Sequence, residues 1–123
     1  MFEKLISTLM ASRDQAHIFH WQTKGPGSYA AHQALGSYYD AIPDLVDGIV
    51  ESYQGKHGIV TGYSPAEKFD EYNHATALKY FKALAMFVER AYTKIPDDSY
   101  ILNQIDNVKE LIYSTIYKLE NLE

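Results

Sequence analysis

Two histidines lie twelve residues apart near the start of the chain, in the stretch H-W-Q-T-K-G-P-G-S-Y-A-A-H. His20 and His32 flank a Gly-Pro-Gly break, and the only tryptophan, Trp21, follows the first of them. Together with carboxylates, imidazole nitrogens suit iron, manganese or zinc. Because the chain has no cysteine, thiolate ligands are excluded. The two histidines are therefore candidate metal ligands that need carboxylate partners.

Carboxylates follow on the helix that His32 begins. Asp47 and Glu51 are four residues apart, so they share one helical face. Extending this row backwards gives Asp40, Gly36 and then His32. His32 and Glu51, however, are nineteen residues apart, which is ~28 Å along a helix. These two side chains therefore cannot bind the same ion within one chain.

A second copy of the chain removes this difficulty. Two copies of the helix, packed antiparallel about a two-fold axis, would bring His32 of one subunit near Asp47 and Glu51 of the other. Gly36 and Gly48 would allow such helices to approach closely. The spacing therefore predicts at least a homodimer, with two identical metal sites between the subunits.

The elements that position these residues are predicted to be helices, because apolar residues recur every three or four positions without a strand pattern. The predicted helices span residues 2 to about 22, roughly 28 to 53, 66 to 93, and a fourth segment that starts at Pro96-Asp97-Asp98-Ser99. Pro43 predicts a kink in the second helix near Tyr39. We expect one all-α domain over residues 1–123.

The length of the middle connection predicts the topology. The connection from Gln54 to Pro65 has twelve residues, which reach ~40 Å when extended. A helix over residues 28–53 is ~39 Å long. The match favours a ferritin-like four-helix bundle with one long crossover connection between helices 2 and 3, and a simple up-and-down bundle is the alternative.

Composition argues against several classes of function. A net charge of −5 without a Lys/Arg-rich arm argues against binding nucleic acid through its phosphates. No apolar run approaches the ~20 residues of a membrane span, and the N-terminus does not resemble a signal peptide. The lack of cysteine fits a reducing compartment, and we expect a cytoplasmic protein.

Other histidines are less suggestive of a site. Glu71 and His74 form an E-x-x-H pair on the predicted third helix, but di-iron bundles use two such pairs and two further glutamates. A solvated first turn is therefore the favoured interpretation of this pair. His17 and His57 are predicted to be surface residues.

The tyrosines support a different kind of function. A set of aromatic side chains is predicted to surround the same interface, namely Trp21, Tyr29, Tyr38, Tyr39 and Tyr53. Such faces can bind a planar small molecule or a nucleotide. The alternative to a metal-binding protein is therefore a non-catalytic oligomeric module that sequesters a small ligand in a Tyr/Trp-rich pocket between subunits.

Taken together, these residues resemble the Dps-like miniferritins, the iron-storing and DNA-protecting branch of the ferritin superfamily. In that family a His-Trp pair closes the first helix, and ligands follow at +12, +16, +27 and +31. In this chain His20 is followed by His32 at +12, Asp47 at +27 and Glu51 at +31. The motifs W-Q-T, A-L-G and Y-Q-G make the chain most similar to small phage-encoded relatives.

The resemblance implies inter-subunit sites that bind iron, or zinc or manganese, and oxidise Fe(II) with peroxide or dioxygen. The ligands would be His20 and His32 of one subunit with Asp47 and Glu51 of its partner. Trp21 and Tyr39 would lie beside the site, with Trp21 absorbing stray oxidising equivalents. The resemblance also implies oxidative protection, an oligomer between a dimer and a dodecamer, and a bacterial or phage-infected host cytoplasm.

Two departures from the family qualify this expectation. The +16 acid that bridges the two irons is Gly36 here, so ferroxidase activity is expected to be weakened. Asp40, one turn beyond, is the candidate replacement. The family's basic N-terminal tail is missing, so its DNA binding does not carry over.

Overall fold

The computed structural model describes residues 1–123 and contains four α-helices and no strand. Helix α1 spans Phe2–Gln22, α2 Ser28–His57, α3 His74–Tyr92 and α4 Ser99–Asn121. The all-α prediction is therefore confirmed. None of the four helices combines the length and the apolar composition that a membrane span needs.

The helices pack as a four-membered ring around one core. The backbone of α1 lies close to those of α2 and α3, and the backbone of α4 also lies close to those of α2 and α3, whereas α1/α4 and α2/α3 are the diagonal pairs. The centre is filled by one continuous cluster of 26 buried apolar residues drawn from all four helices. This arrangement is a four-helix bundle, and its energetic basis is the burial of one apolar stripe from each helix.

Residues 58–73 connect α2 to α3 and are bound to successive turns of α1. The backbone N–H of Ser64 donates to the hydroxyl of Ser7 over 2.9 Å. Gln15 both accepts from the N–H of Asp70 (2.7 Å) and donates to its carbonyl (3.0 Å). Two turns later, Gln22 accepts from the N–H of Tyr72 over 2.7 Å. The segment therefore follows α1 in the direction from its first to its last residue.

Two of the predicted helix boundaries were wrong. Helix α2 continues past residue 53 to His57, and α3 begins at His74 instead of residue 66. Residues 66–73 cannot start α3 earlier, because part of their backbone is bound by side chains of α1. Asn73 then caps α3, since its side-chain oxygen accepts from the N–H groups of Ala75 and Thr76.

Helix α2 passes through Pro43 as one uninterrupted helix. On its inner side Tyr38 is fully buried, whereas Tyr39 is half-buried on the flank that faces α1. The hydroxyls of Tyr38 and Ser12 lie 2.6 Å apart, so the buried phenol keeps a hydrogen-bond partner. The spacing of Leu35, Tyr39, Ile42 and Val46 along α2 predicts an apolar stripe with Tyr39 in the core, but Tyr38 occupies that position instead.

Candidate metal-binding face between α1 and α2

His20 and His32 fasten the end of α1 to the start of α2 by two reciprocal hydrogen bonds. The Nδ1–H of His20 donates to the carbonyl of His32 over 2.8 Å. The Nδ1–H of His32 donates to the carbonyl of His20 over 3.0 Å. The second bond satisfies a carbonyl in the last turn of α1, which has no partner within its own helix. The Gly-Pro-Gly turn thus brings the two histidines together, as their spacing suggested.

The same bonds leave one nitrogen of each ring free. A carbonyl can only accept, so both Nδ1 atoms carry the proton and both Nε2 atoms keep a lone pair. A metal-binding histidine commonly has this arrangement, with one nitrogen bound to a carbonyl and the other available. The rings of His20 and His32 are stacked, however, with centroids 3.6 Å apart and planes 20° apart. One ion cannot lie in two nearly parallel ring planes, so both histidines can bind a single ion only after one ring turns out of the stack.

Gly36 allows His20 to lie against α2. A Cβ atom at position 36 would be 3.2 Å from Cε1 and 3.3 Å from Nδ1 of His20. In an α-helix the carbonyl of residue 32 points towards residue 36, so a side chain there would obstruct the carbonyl that His20 binds. The space left by glycine at position 36 is therefore occupied by the ring of His20 from the same chain. Gly48, by contrast, has open space where a Cβ would be.

A third histidine extends the cluster along α1. The ring of His17 lies between Trp21, at 4.0 Å between centroids, and Tyr39, at 4.2 Å. Tyr39 also meets His20 edge-on at 5.2 Å. Trp21 is 67% exposed, so this aromatic cluster reaches the surface. The sequence prediction treated His17 as an isolated surface residue, although its position one turn before His20 was the signal that could have linked them.

The acidic candidates lie on the same side of the bundle. Asp47 and Glu51 are exposed and edge a groove of about 630 Å³ between α1 and α2. The remaining residues of the groove are mostly apolar: Ile6, Leu9, Met10, Ile42, Pro43, Val46, Val50 and Tyr63, together with Arg13 and Asp14. Asp40 is exposed and lies outside this groove.

The histidine cluster (His17, His20 and His32) and the groove edged by Asp47 and Glu51, called the acidic groove below, thus lie on two parts of one face formed by α1 and α2. Within a single chain no three His, Asp or Glu side chains converge closely enough to hold a metal ion. His20 and His32 come together, and Asp47 and Glu51 come together, but the two pairs remain separate along α2.

The chain matches the profile of a protein family over residues 20–119. It belongs to DUF5856, a family of unknown function. No curated protein matches the chain. The region shared with DUF5856 begins at His20 and includes His32, Asp47 and Glu51, whereas His17 precedes it.

In this DUF5856 member the tyrosines of one chain do not lie together. Tyr38 is fully buried, and its ring contacts Phe81 of α3. Tyr53 stacks on Phe2 at 3.7 Å between centroids, at the opposite end of α1 from His20. Tyr29 is 74% exposed. Within one chain, Tyr29, Tyr38, Tyr39 and Tyr53 thus lie in different parts of the bundle, and a Tyr-rich pocket between subunits stays a prediction.

Glu71, His74 and His57 lie at the surface, outside the α1–α2 face. Glu71 precedes α3, is exposed and accepts a 2.6 Å hydrogen bond from Gln22, so it does not face the bundle interior. His74 is exposed at the start of α3. His57 is not isolated, because its Nε2 lies 2.7 Å from the carboxylate of Asp98.

The bundle interior holds no ionisable carboxylate or imidazole. Its buried polar residues are Ser12, Gln15 and Thr115, together with the phenol of Tyr38. Each of these side chains is hydrogen-bonded. The residues suited to binding ions are thus on the surface between α1 and α2, and not among the four helices.

Proposed function

We propose that this chain is a ferritin-like, Dps-like metal-binding protein that acts as a homodimer or a larger homo-oligomer. The ferritin-like topology with a long crossover is part of the proposal. It is supported by the packing order of the helices and by the hydrogen bonds that hold residues 58–73 along α1. In such a topology α1 and α2 remain adjacent and can present a shared face to a second subunit.

One observation carries the proposal: the histidine cluster and the acidic groove lie on the same α1–α2 face but too far apart to meet within one chain. His20 and His32 each keep a free Nε2, and Asp47 and Glu51 are exposed. A two-fold axis near the middle of α2 would place the histidines of one subunit opposite the carboxylates of the other. Each dimer would then hold two equivalent sites.

The donor set suits iron, with zinc or manganese as other ions. A bound Fe²⁺ would supply electrons to peroxide or dioxygen, which is the chemistry of a ferroxidase. In this chain the imidazoles bind and orient the ion, and the exposed ring of Trp21 lies beside them as an oxidisable group. Because Gly36 supplies no carboxylate, we propose a weak ferroxidase whose main role is sequestering metal and protecting against oxidation.

Subunit complementation tests this proposal directly. One variant carries His20→Ala and His32→Ala, and the other carries Asp47→Asn and Glu51→Gln. Each homodimer then lacks one half of every site. In a mixed dimer, one of the two sites combines the intact histidines of one subunit with the intact carboxylates of the other. We expect neither variant alone to bind Fe²⁺ or Zn²⁺, and the co-expressed, doubly tagged mixture to recover one site per dimer.

The controls separate the parts of the proposal. His74→Ala removes an exposed histidine at the start of α3 and is expected to leave binding unchanged. Light scattering measures whether the wild type is a dimer, a dodecamer or a monomer. A monomeric wild type, or a mixture that binds no more metal than its components, would show that the inter-subunit site does not exist.

The groove favours a second candidate, a binding module for a small organic ligand. Its volume of about 630 Å³ and its apolar residues fit the usual range of ligand pockets. Asp14, Asp47 and Glu51 oppose an anionic nucleotide, with Arg13 the only basic residue present. The structure therefore favours a neutral or cationic apolar ligand. Retention of such a ligand by a wild type that binds no metal would support this candidate over the first.

A further inference from the structure

We propose that His17 is a metal ligand on the α1–α2 face and that it chelates one divalent ion together with His20. The inference rests on the proposed function, because the carboxylates of a partner subunit would complete the site. It pairs His20 with His17 on the same helix, in place of the stacked His32, as the two nitrogen donors of the site.

The contacts of His17 leave its nitrogens available. Trp21 and Tyr39 lie against the ring of His17, at 4.0 and 4.2 Å between centroids. The Tyr39 contact is a stack with planes 23° apart, so it covers a face of the imidazole and not its edge. His20 uses its Nδ1 for the carbonyl of His32, whereas the ring nitrogens of His17 make no hydrogen bond within the chain. The half-buried imidazole of His17 is thus held in place by its ring contacts, and its nitrogen lone pair is available for a metal ion.

The distance between the two rings is close to that of a chelating pair. A zinc ion lies ~2.0–2.1 Å from a ligating nitrogen, in the plane of the ring. Its distance from the ring centre is then ~3.2 Å, so two imidazoles on one tetrahedral ion have centres ~5.2 Å apart. The centroids of His17 and His20 are 6.3 Å apart, and their planes differ by 54°. The two rings are therefore ~1 Å too far apart for a tetrahedral ion, and a change of side-chain torsion in either histidine has to bring them together. The stacked pair His20/His32, at 3.6 Å and 20°, falls outside this geometry.

His17 gives the site a donor that position 36 cannot supply. At Gly36 no side chain is available, and the ring of His20 lies against that space. His17, three residues before His20, supplies a donor from the adjacent turn of α1. Two nitrogens with two carboxylate oxygens suit a four-coordinate Zn²⁺, and imidazole donors favour Zn²⁺ and Cu²⁺ over Fe²⁺. We therefore expect the site to bind one Zn²⁺ or Cu²⁺ ion in preference to Fe²⁺.

Two substitutions at position 17 separate ligation from stacking. His17→Phe keeps an aromatic ring between Trp21 and Tyr39 but has no nitrogen, and His17→Gln keeps polarity without the ring. His74→Phe is the matched control at an exposed histidine outside the cluster. The probes are Zn²⁺, measured by competition with a chromogenic chelator, and Cu²⁺, measured by electron paramagnetic resonance of the full chain.

We expect His17→Phe and His17→Gln to weaken Zn²⁺ binding by at least about tenfold, the lower end of what even an outer-shell partner contributes. The Cu²⁺ spectrum should lose the hyperfine coupling of one nitrogen, while the melting temperature of His17→Phe stays near that of the wild type. Wild-type affinity and an unchanged nitrogen count in both variants, combined with loss of binding in His20→Ala, would overturn the role of His17 and leave the proposed function intact. A wild type that binds neither ion would overturn both.

Discussion

The ring of His20 lies against the backbone of Gly36, where a Cβ atom would come within 3.2 Å of Cε1 and 3.3 Å of Nδ1. The same ring donates a 2.8 Å hydrogen bond to the carbonyl of His32, one turn earlier on α2. The absence of a side chain at Gly36 and the hydrogen bond of His20 are thus two parts of one local packing arrangement. Any residue larger than glycine at position 36 alters both.

This packing predicts different outcomes for two Gly→Ala substitutions in α2. In a helix interior, alanine is normally more stable than glycine by ~1 kcal/mol. Gly48→Ala should show this gain, because its Cβ meets open space. Gly36→Ala should show little gain or a loss, because its Cβ displaces His20 and weakens a hydrogen bond worth ~1 kcal/mol. Urea unfolding of both variants measures the difference, and equal stabilisation would contradict the packing described here.

Restoring the missing carboxylate is the second prediction. Under the proposed Dps-like function, Gly36→Asp returns the +16 carboxylate that a second ion would need. We expect no second equivalent of Fe²⁺ or Zn²⁺ per chain, because the new side chain enters the space next to His20 and disturbs a ligand. Isothermal titration of Gly36→Asp beside wild type measures the stoichiometry. Binding of an additional ion would show that His20 can move aside without loss.

The connection between α2 and α3 depends on Gln15, and this dependence is the third prediction. Gln15 is 2% exposed and binds both backbone groups of Asp70. Gln15→Ala removes these bonds and should lower the free energy of unfolding by ~1–3 kcal/mol. Gln33→Ala, at an exposed position of α2, is the matched control and should change little. Hydrogen exchange at the Asp70 amide should accelerate only in the first variant.

Much of the fold followed from apolar spacing. The helical class and the starts of α1, α2 and α4 were predicted because periodicity and turn residues determine them locally. The start of α3 was wrong because it is decided by tertiary contacts. The side chains of Gln15 and Gln22 bind backbone groups of Asp70 and Tyr72. The sequence of residues 66–73 alone does not predict these hydrogen bonds. The prediction placed Tyr39 in the core instead of Tyr38 for a similar reason. Which of two adjacent tyrosines is buried depends on a partner from another helix, here Ser12.

The candidate site was only partly accessible from sequence. The twelve-residue spacing of His20 and His32 across a turn predicted their approach, and the structure brings them together. Their stacking was not predictable, because it depends on the carbonyl that Gly36 leaves open. His17 was missed because its role depends on Tyr39, a residue on another helix. The meeting of the histidines with Asp47 and Glu51 stays a prediction, since it concerns a second subunit.

A contact between helix ends gives the fourth prediction. The carboxylate of Asp98, at the start of α4, lies 2.7 Å from Nε2 of His57, the last residue of α2. Negative charge at a helix start and positive charge at a helix end are both favoured by the helix dipoles. Asp98→Ala should therefore destabilise the chain by ~0.5–1 kcal/mol in chemical unfolding. Asp97→Ala, at the exposed neighbouring residue, is the control, and equal effects would show that the His57 contact contributes nothing.

The last prediction concerns alkaline pH and the two tyrosines between the helices. Burial raises the pKa of Tyr38, and burial together with the charge of Asp70 raises the pKa of Tyr80. In the unfolded chain both phenols ionise near their ordinary pKa of ~10, whereas in the folded chain they keep their protons. Stability is therefore complete below pH ~10 and falls as the pH rises above it, by up to ~1.4 kcal/mol per pH unit for each tyrosine.

Substitution of both residues separates this effect from general alkaline unfolding. The double variant Tyr38→Phe/Tyr80→Phe should be less stable at neutral pH, because Ser12 loses the hydroxyl of Tyr38. Between pH 10 and 11.5, however, its free energy of unfolding should fall less steeply than that of the wild type. Tyr113→Phe removes an exposed phenol and should keep the wild-type slope. If the double variant also keeps that slope, the two buried phenols ionise as readily in the folded chain as in the unfolded one.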